Sequence, residues 1–294
     1  MAKSIEEGLL VRQSAETPRV ARIYLENERV ILGTMAVVFF LLYWEGLTRG
    51  WWADLVRPVL GDSAERWRIN PIFLSSPTAI VKTGARLFAT GEIWKDLRVS
   101  SLEFVVGFLL SVAVGVPLGL AAGWYRKFYY AVEPFLSALN ATPRVALLPL
   151  IIIWVGIGVW SKITVIFLGA FFPICINALA GVRTTDARLL KVARSFGASE
   201  RQIFRDIILP GSVPFFLIGL RLGVGRAMIG VVVGELYAAT AGIGFMITVA
   251  GATFQTDKVF VGVMIIAFAA IVMIEGLTRL ERRFDTWRPK VGSA

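Results

Sequence analysis

Residues 191–210 read KVARSFGASERQIFRDIILP, a charged, helix-prone loop set between two long apolar segments. Asp186 can cap a first short helix, with Leu189, Val192, Ala193 and Phe196 on one face at three- and four-residue spacing. Gly197 suits the left-handed position that stops a helix. Ser199, followed by Gln202, has capping-box spacing and starts a second helix carrying Ile203, Phe204, Ile207 and Ile208. Pro210 is expected to break that run. Lys191, Arg194, Arg201 and Arg205 decorate the polar faces. The stretch therefore reads as a helix–turn–helix with one apolar and one basic side. Two uses fit it: a hairpin lying on anionic lipid, or an element held by something outside the bilayer.

The surrounding chain is a membrane protein by composition. It has 294 residues, 56% of them hydrophobic, and a mean hydropathy of +0.69. A soluble domain of this size would expose too much apolar surface. The single cysteine, Cys175, excludes an internal disulfide. Histidine is absent, which removes Ser-His-Asp and Cys-His chemistry and histidine metal sites. No G-x-x-x-x-G-K-[ST] loop is present to cradle ATP phosphates. No catalytic residue and no metal site is expected. The net charge of +10 and pI near 10.1 come from basic residues in loops between apolar spans. That pattern points to membrane orientation and lipid headgroups rather than to nucleic acid.

Residues 1–29 are polar and basic, without the apolar core and cleavage site of a signal peptide. The first apolar span covers about Val30 to Thr48. A polar connection, 49–101, carries Pro58, Pro71 and Pro77, with amphipathic helices expected at about 78–90 and 93–102. Leu102 to Gly123 is the second span. Phe128 to Gly158 is interrupted by Pro134, Pro143 and Pro149, and is expected to form one broken or tilted helix. Ile163–Val182, Val213–Ala239 and Val259–Leu277 complete the set. A short apolar stretch at 243–250 reads as re-entrant or interfacial. The expectation is an all-α polytopic protein with about six transmembrane helices, divided as 1–29, 30–101, 102–280 with a loop at 183–212, and 281–294. Of 31 lysines and arginines, eighteen fall on the side holding both termini and the 183–212 loop, against ten on the other. Both ends and that loop are therefore placed in the cytoplasm.

Gly197, nine residues, then Ile207-x-Leu209-Pro210 resembles the cytoplasmic "EAA" loop of ABC importer permeases, E-A-A-x-x-x-G followed by I-x-L-P. The opening departs from it: Lys191-Val192 stand where the motif has Glu-Ala, and only Ala193 agrees. V-A-R-S-F-G-A-S at 192–199 is similar to the variant of the nitrate/sulfonate/bicarbonate-type branch. Leu74-Ser75-Ser76-Pro77 resembles that branch's L-P-S-P. Thr142 to Pro149, continuing to Trp154-Val155-Gly156-Ile157-Gly158, resembles its third-span segment. Gly219 to Gly223, Gly225-Arg226-Ala227 and Val233-Gly234-Glu235 resemble its fifth-span block. The likeness covers about residues 70–288.

The resemblance implies a type I importer (MetI-like) permease fold in the bacterial cytoplasmic (inner) membrane. It implies a homodimer, two cytoplasmic ABC ATPase subunits and a periplasmic or extracellular solute-binding protein. ATP and Mg would sit on the ATPase, with no cofactor in this chain. Ala193, Arg194, Phe196, Gly197, Ala198, Ser199, Arg201, Arg205, Ile207, Leu209 and Pro210 would form the coupling helix. The solute would be small and anionic, of the nitrate, sulfonate/taurine or bicarbonate class; thiamine-pyrimidine precursors are the alternative within the branch. An ATPase-independent secondary transporter and a membrane scaffold are the alternatives outside it.

Charges at bilayer depth cost roughly 2.5–3.5 kcal/mol on insertion scales and so face protein or water. Asn140, Arg144, Asn177, Arg226 and Glu235 are the candidates for a translocation path, each with a structural role as the competing reading. Arg221, about 12 Å along the fifth span, is placed to snorkel to the interface. Glycines 219/223 and 230/234 fit either helix packing within the subunit or a moving dimer interface.

Overall fold

Hydrocarbon offers no partner to backbone N–H and C=O groups, so an apolar chain must satisfy them within each segment. The computed structural model describes residues 19–61 and 69–284, and among these it contains only helices and turns. The N-terminal stretch before residue 19 and the tail after residue 284, both assigned to the cytoplasm above, lie outside the described residues. The chain forms two compact units that part between Val81 and Lys82.

In the first unit, α1 (Arg19–Arg49) holds the first span and α2 (Trp51–Leu60) follows at once. Gly50, at φ 82°, reverses the chain between them. Trp52 then folds back, donating from Nε1 to the Tyr43 carbonyl at 3.1 Å. Helix α3 (Pro77–Thr90) starts where Glu45 of α1 accepts the Thr78 backbone N–H at 3.0 Å and its hydroxyl at 2.6 Å. Only 11% of the apolar window of the first span is buried, as expected of a helix facing lipid.

The second unit contains α4 (Glu92–Trp124), α5 (Arg126–Ala141), a 3₁₀ turn (Arg144–Leu147), α6 (Leu148–Val155) and α7 (Val159–Arg183). Next come α8 (Ala187–Ser195), α9 (Glu200–Ile203), a wide π turn (Phe204–Ile208), α10 (Leu209–Ala238), α11 (Ile243–Ala252) and α12 (Thr256–Phe284). Helix α7 is the axis, with 56% of its apolar window buried. It packs between α4 and α10 around Phe104, Ile166, Ala170, Ile174, Val224, Ala227 and Val231.

Small residues let these helices close on one another. A Cβ at Gly119 of α4 would lie 2.3 Å from the Cys175 carbonyl oxygen and 2.7 Å from the Ala178 Cβ of α7. On α10, Gly219, Gly223, Gly230 and Gly234 all face α7, against Asn177, Ile174, Ile166 and Lys162. The two glycine pairs thus serve packing within the subunit. Gly119→Val is expected to lower the thermal midpoint through about 1–3 kcal/mol of overpacking. Gly225→Ala, whose Cβ meets nothing within 4 Å, should leave it unchanged, as thermal denaturation in detergent would report.

Among the described residues, five helices are long and apolar enough to cross a membrane, or six if the bent pair counts as one span. One local expectation needs correction, the stop at Pro210. The helix expected near 93–102 leads directly into the second span, as one helix of 33 residues. The 128–158 region is broken, as expected, and sharply so: Arg126–Ala141 and Arg144–Val155 meet at 94°. Proline explains the break, because Thr142, preceding Pro143, is forced to an extended ψ of 131°. Pro210 does not stop its helix, which continues from Glu200 to Tyr237. The π turn before it changes the hydrogen-bond register there, and Pro210 sits at the head of α10, where a missing N–H is tolerated.

Candidate functional site

Two places gather the chemistry: the elbow at 187–208 and a cavity beside α7. At the elbow, Asp186 accepts the Arg188 N–H at 2.8 Å and caps α8. Gly197 closes α8 at φ 78°. Its N–H reaches the Arg194 carbonyl and the Ala198 N–H reaches the Ala193 carbonyl, both at 3.0 Å, the paired bonds of a Schellman stop. A reciprocal capping box opens α9: the Ser199 N–H donates to Gln202 Oε1 at 2.8 Å and the Gln202 N–H to Ser199 Oγ at 3.3 Å. Arg194 and Glu200 tie the two arms at 3.2 Å. The turn is thus fixed from both sides by local hydrogen bonds.

The structure parts the apolar residues grouped above on one face. Ala193 turns inward with Leu190, Ala198 and Phe204 onto Val182, Ile203 and Ile208. Trp124 at the end of α4 meets the Phe204 ring edge-on at 5.5 Å. Leu189, Val192 and Phe196 point away, 55%, 53% and 86% exposed. Arg201, Arg205, Leu209 and Pro210 are exposed and Ile207 half-buried. The elbow is braced on its own unit and presents a three-residue apolar stripe outward.

The cavity, about 310 Å³, brings together Asn140, Arg144 and Arg226. Arg144 stands at the α5–α6 elbow. Its Nη2 donates to Asn140 Oδ1 at 3.0 Å and its guanidinium lies over the Phe172 ring, 5.2 Å from the centroid. Helix α7 supplies Val165 and Gly169, and α10 supplies Arg226, Ile229, Gly230 and Val233.

Asn177 and Glu235 lie elsewhere. Asn177 Nδ2 donates to the Pro173 carbonyl of its own helix at 2.8 Å. Glu235 is fully buried and accepts Ser100 Oγ and the Gly244 N–H, each at 2.6 Å. The Gly242 and Ile243 N–H groups go to Asp96 (2.9 Å) and Ser100 (2.8 Å). Side chains of α4 and α10 thereby satisfy the free N–H groups that open α11.

Sequence reasoning missed the neighbours of Glu235. Glu103 of α4 forms an ion pair with Lys162 of α7, and both are at least 95% buried. Both charges act on Glu235. Lys162, one of the ten basic residues counted on the side opposite the termini, is inside the helix packing, which leaves nine on that side. The signal was present: Glu103 opens an otherwise apolar run of 20 residues or so, where an ionisable group needs a partner. Arg221 pairs with Glu281 of α12 at 3.4 Å, as a residue near an interface would.

Comparison with known proteins places these features. The profile described as "binding-protein-dependent transport system inner membrane component" matches residues 115–286. The taurine transport system permease protein of Escherichia coli (strain K12) is 36% identical over 228 residues, 76% of this chain and 83% of that one. An aliphatic sulfonates transport permease protein of Bacillus subtilis (strain 168) is 37% identical over 220 residues, 75% and 80% of the two chains. The formylaminopyrimidine transport permease protein of Halalkalibacterium halodurans is 31% identical over 236 residues, 80% and 94%. Among solved structures, an inward-facing MetNI methionine ABC transporter chain superposes with a TM-score of 0.53 at 19% identity. That match covers 65% of this chain and 94% of the other, and it shows the fold.

Proposed function

Because the chain belongs to the binding-protein-dependent transport system inner membrane component family, we propose that it forms half of the path of an ATP-driven importer for a small anionic solute. It is a multi-pass permease subunit of the cytoplasmic membrane and not itself an enzyme. Residues 102–280 form the permease core and 183–212 its coupling loop, flanked by the 30–101 segment and the cytoplasmic ends 1–29 and 281–294. Two copies line the path, two ATPase subunits carrying ATP and Mg seat on the coupling elbows, and an external binding protein delivers solute. ATP-driven closure of the ATPases moves the elbows as rigid levers and switches the path between outward- and inward-facing states. Lipid covers the exposed apolar faces.

The observation that carries this reading is the elbow itself. A turn fixed by a Schellman stop and a capping box offers Leu189, Val192 and Phe196 to the side that the charge distribution assigns to the cytoplasm. An isolated hairpin has no use for an 86% exposed phenylalanine at its tip; a groove on a partner does. Asn140, Arg144 and Arg226 are the path residues in this reading. Asn177 and Glu235 hold backbone. Relatives named for taurine and for aliphatic sulfonates share a sulfonate head, which supports an oxyanion group on the solute.

The test is reconstitution with the cognate ATPase and binding protein. Gly197→Asp places a charged side chain on a left-handed backbone at φ 78°, where a Cβ meets nothing within 4 Å, so it both strains the turn and charges its tip. It should abolish ATPase association and solute uptake while membrane insertion persists. Uptake by the wild-type chain without nucleotide would favour a secondary transporter and remove the importer reading.

A further inference from the structure

We propose that the cavity under the α5–α6 elbow is a membrane-embedded site for a short aliphatic monoanion, and that it selects against a zwitterion of the same size. The proposal rests on the importer reading and sharpens its substrate class. Arg144 and Arg226 both line the cavity, close enough for the two guanidinium charges to act on each other. No aspartate or glutamate is among the lining residues. Arg144 Nε is buried and has no hydrogen-bond partner. Two like charges beside an apolar wall, with one donor unspent, form a site that an oxyanion completes.

The remaining wall defines the tail of the ligand. Val165, Ile229 and Val233 are aliphatic, and Gly169 and Gly230 keep the helices close. The polar side chains nearby are neutral and already bonded: Asn140 Oδ1 accepts from Arg144, and the Thr142 hydroxyl donates to the Ala138 carbonyl at 2.9 Å, so neither offers an ammonium a counter-charge. An ammonium at the far end of a bound sulfonate would meet valine, isoleucine and two guanidinium groups, and no carboxylate. Desolvating it there is unfavourable. A short alkyl tail in the same place buries apolar surface instead. A cavity of about 310 Å³ is at the small end of ligand sites, suited to a few carbons behind a sulfonate head.

The experiment measures equilibrium binding to the full chain in lipid nanodiscs without any binding protein, so that only the membrane site is read. The probes are 1-propanesulfonate, taurine and propylammonium. The expected result is saturable binding of 1-propanesulfonate at least tenfold tighter than taurine, and none of propylammonium. Arg226→Gln, at an exposed side chain, should weaken propanesulfonate at least tenfold, and Arg144→Gln likewise. Ile229→Asp should raise the relative affinity for taurine by supplying the missing carboxylate. Equal binding of taurine and propanesulfonate, or propanesulfonate binding untouched by Arg226→Gln, overturns the proposal. ATP-driven uptake in vesicles with no anion bound to the chain also overturns it and leaves the importer reading standing. Selective anion binding without ATP-driven uptake upholds the site and removes the importer reading.

Discussion

Lys162→Met is expected to be the most damaging single change in the chain. The ammonium of Lys162 is 4% exposed and lies against two fully buried carboxylates, Glu103 directly and Glu235 through its charge. Methionine fills a similar volume but leaves the Glu103 carboxylate without its ion-pair partner. Breaking a buried pair from one side costs roughly 3–5 kcal/mol, a large share of a typical folding free energy. The prediction is a collapse in folded yield and a much lower thermal midpoint in detergent. The double variant Lys162→Met with Glu103→Gln removes both partners together and should recover more than half of the loss, because replacing a buried pair by neutral groups of the same shape is close to neutral. A Lys162→Met protein that melts with wild-type stability would show that the cluster is hydrated and contributes little.

Phe196→Glu should leave the fold intact and disconnect the engine. Phe196 makes no contribution to its own unit's packing, being 86% exposed, so its substitution spares stability. As the aromatic end of the stripe that begins at Leu189 and Val192 it has the character of an interface anchor, whose loss costs about 2 kcal/mol or more. That corresponds to roughly a 30-fold or greater loss in affinity for the ATPase subunit, and a carboxylate buried in a groove adds to it. Solute-stimulated ATP hydrolysis and co-purification of the ATPase should fall together, while the monodisperse permease survives. Normal stimulation in this variant would mean that the stripe at 189, 192 and 196 faces something other than the ATPase. Ala193→Asp offers the contrast: Ala193 packs against Val182, Ile203 and Ile208, so a charge there should destabilise the elbow itself.

These two predictions draw on different kinds of legibility. The elbow was readable because its determinants are local. Asp186, Gly197 and the Ser199–Gln202 pair each act within three or four residues, through hydrogen bonds that the spacing alone announces. The apolar spans were readable for the same reason: hydropathy over 20 residues is a property of the segment. Which side of the elbow each apolar residue takes was not local. Ala193 and Phe196 share a helical stripe, yet one packs on Val182 and the other stands in the open, because the place of α8 against α4 and α7 decides it.

The sequence by itself determined the class of protein, its long apolar spans and the presence of a capped helix–turn–helix between the fourth and fifth of them. Each of these follows from short-range rules about burial and backbone hydrogen bonds. Tertiary structure alone decided the partners of the charges buried among the helices. Lys162 reaches Glu103 across 59 positions of sequence, and Arg144 meets Arg226 around one cavity across 82. Electrostatic partnership depends on distance in space, and only the packing of α4, α7 and α10 sets that distance.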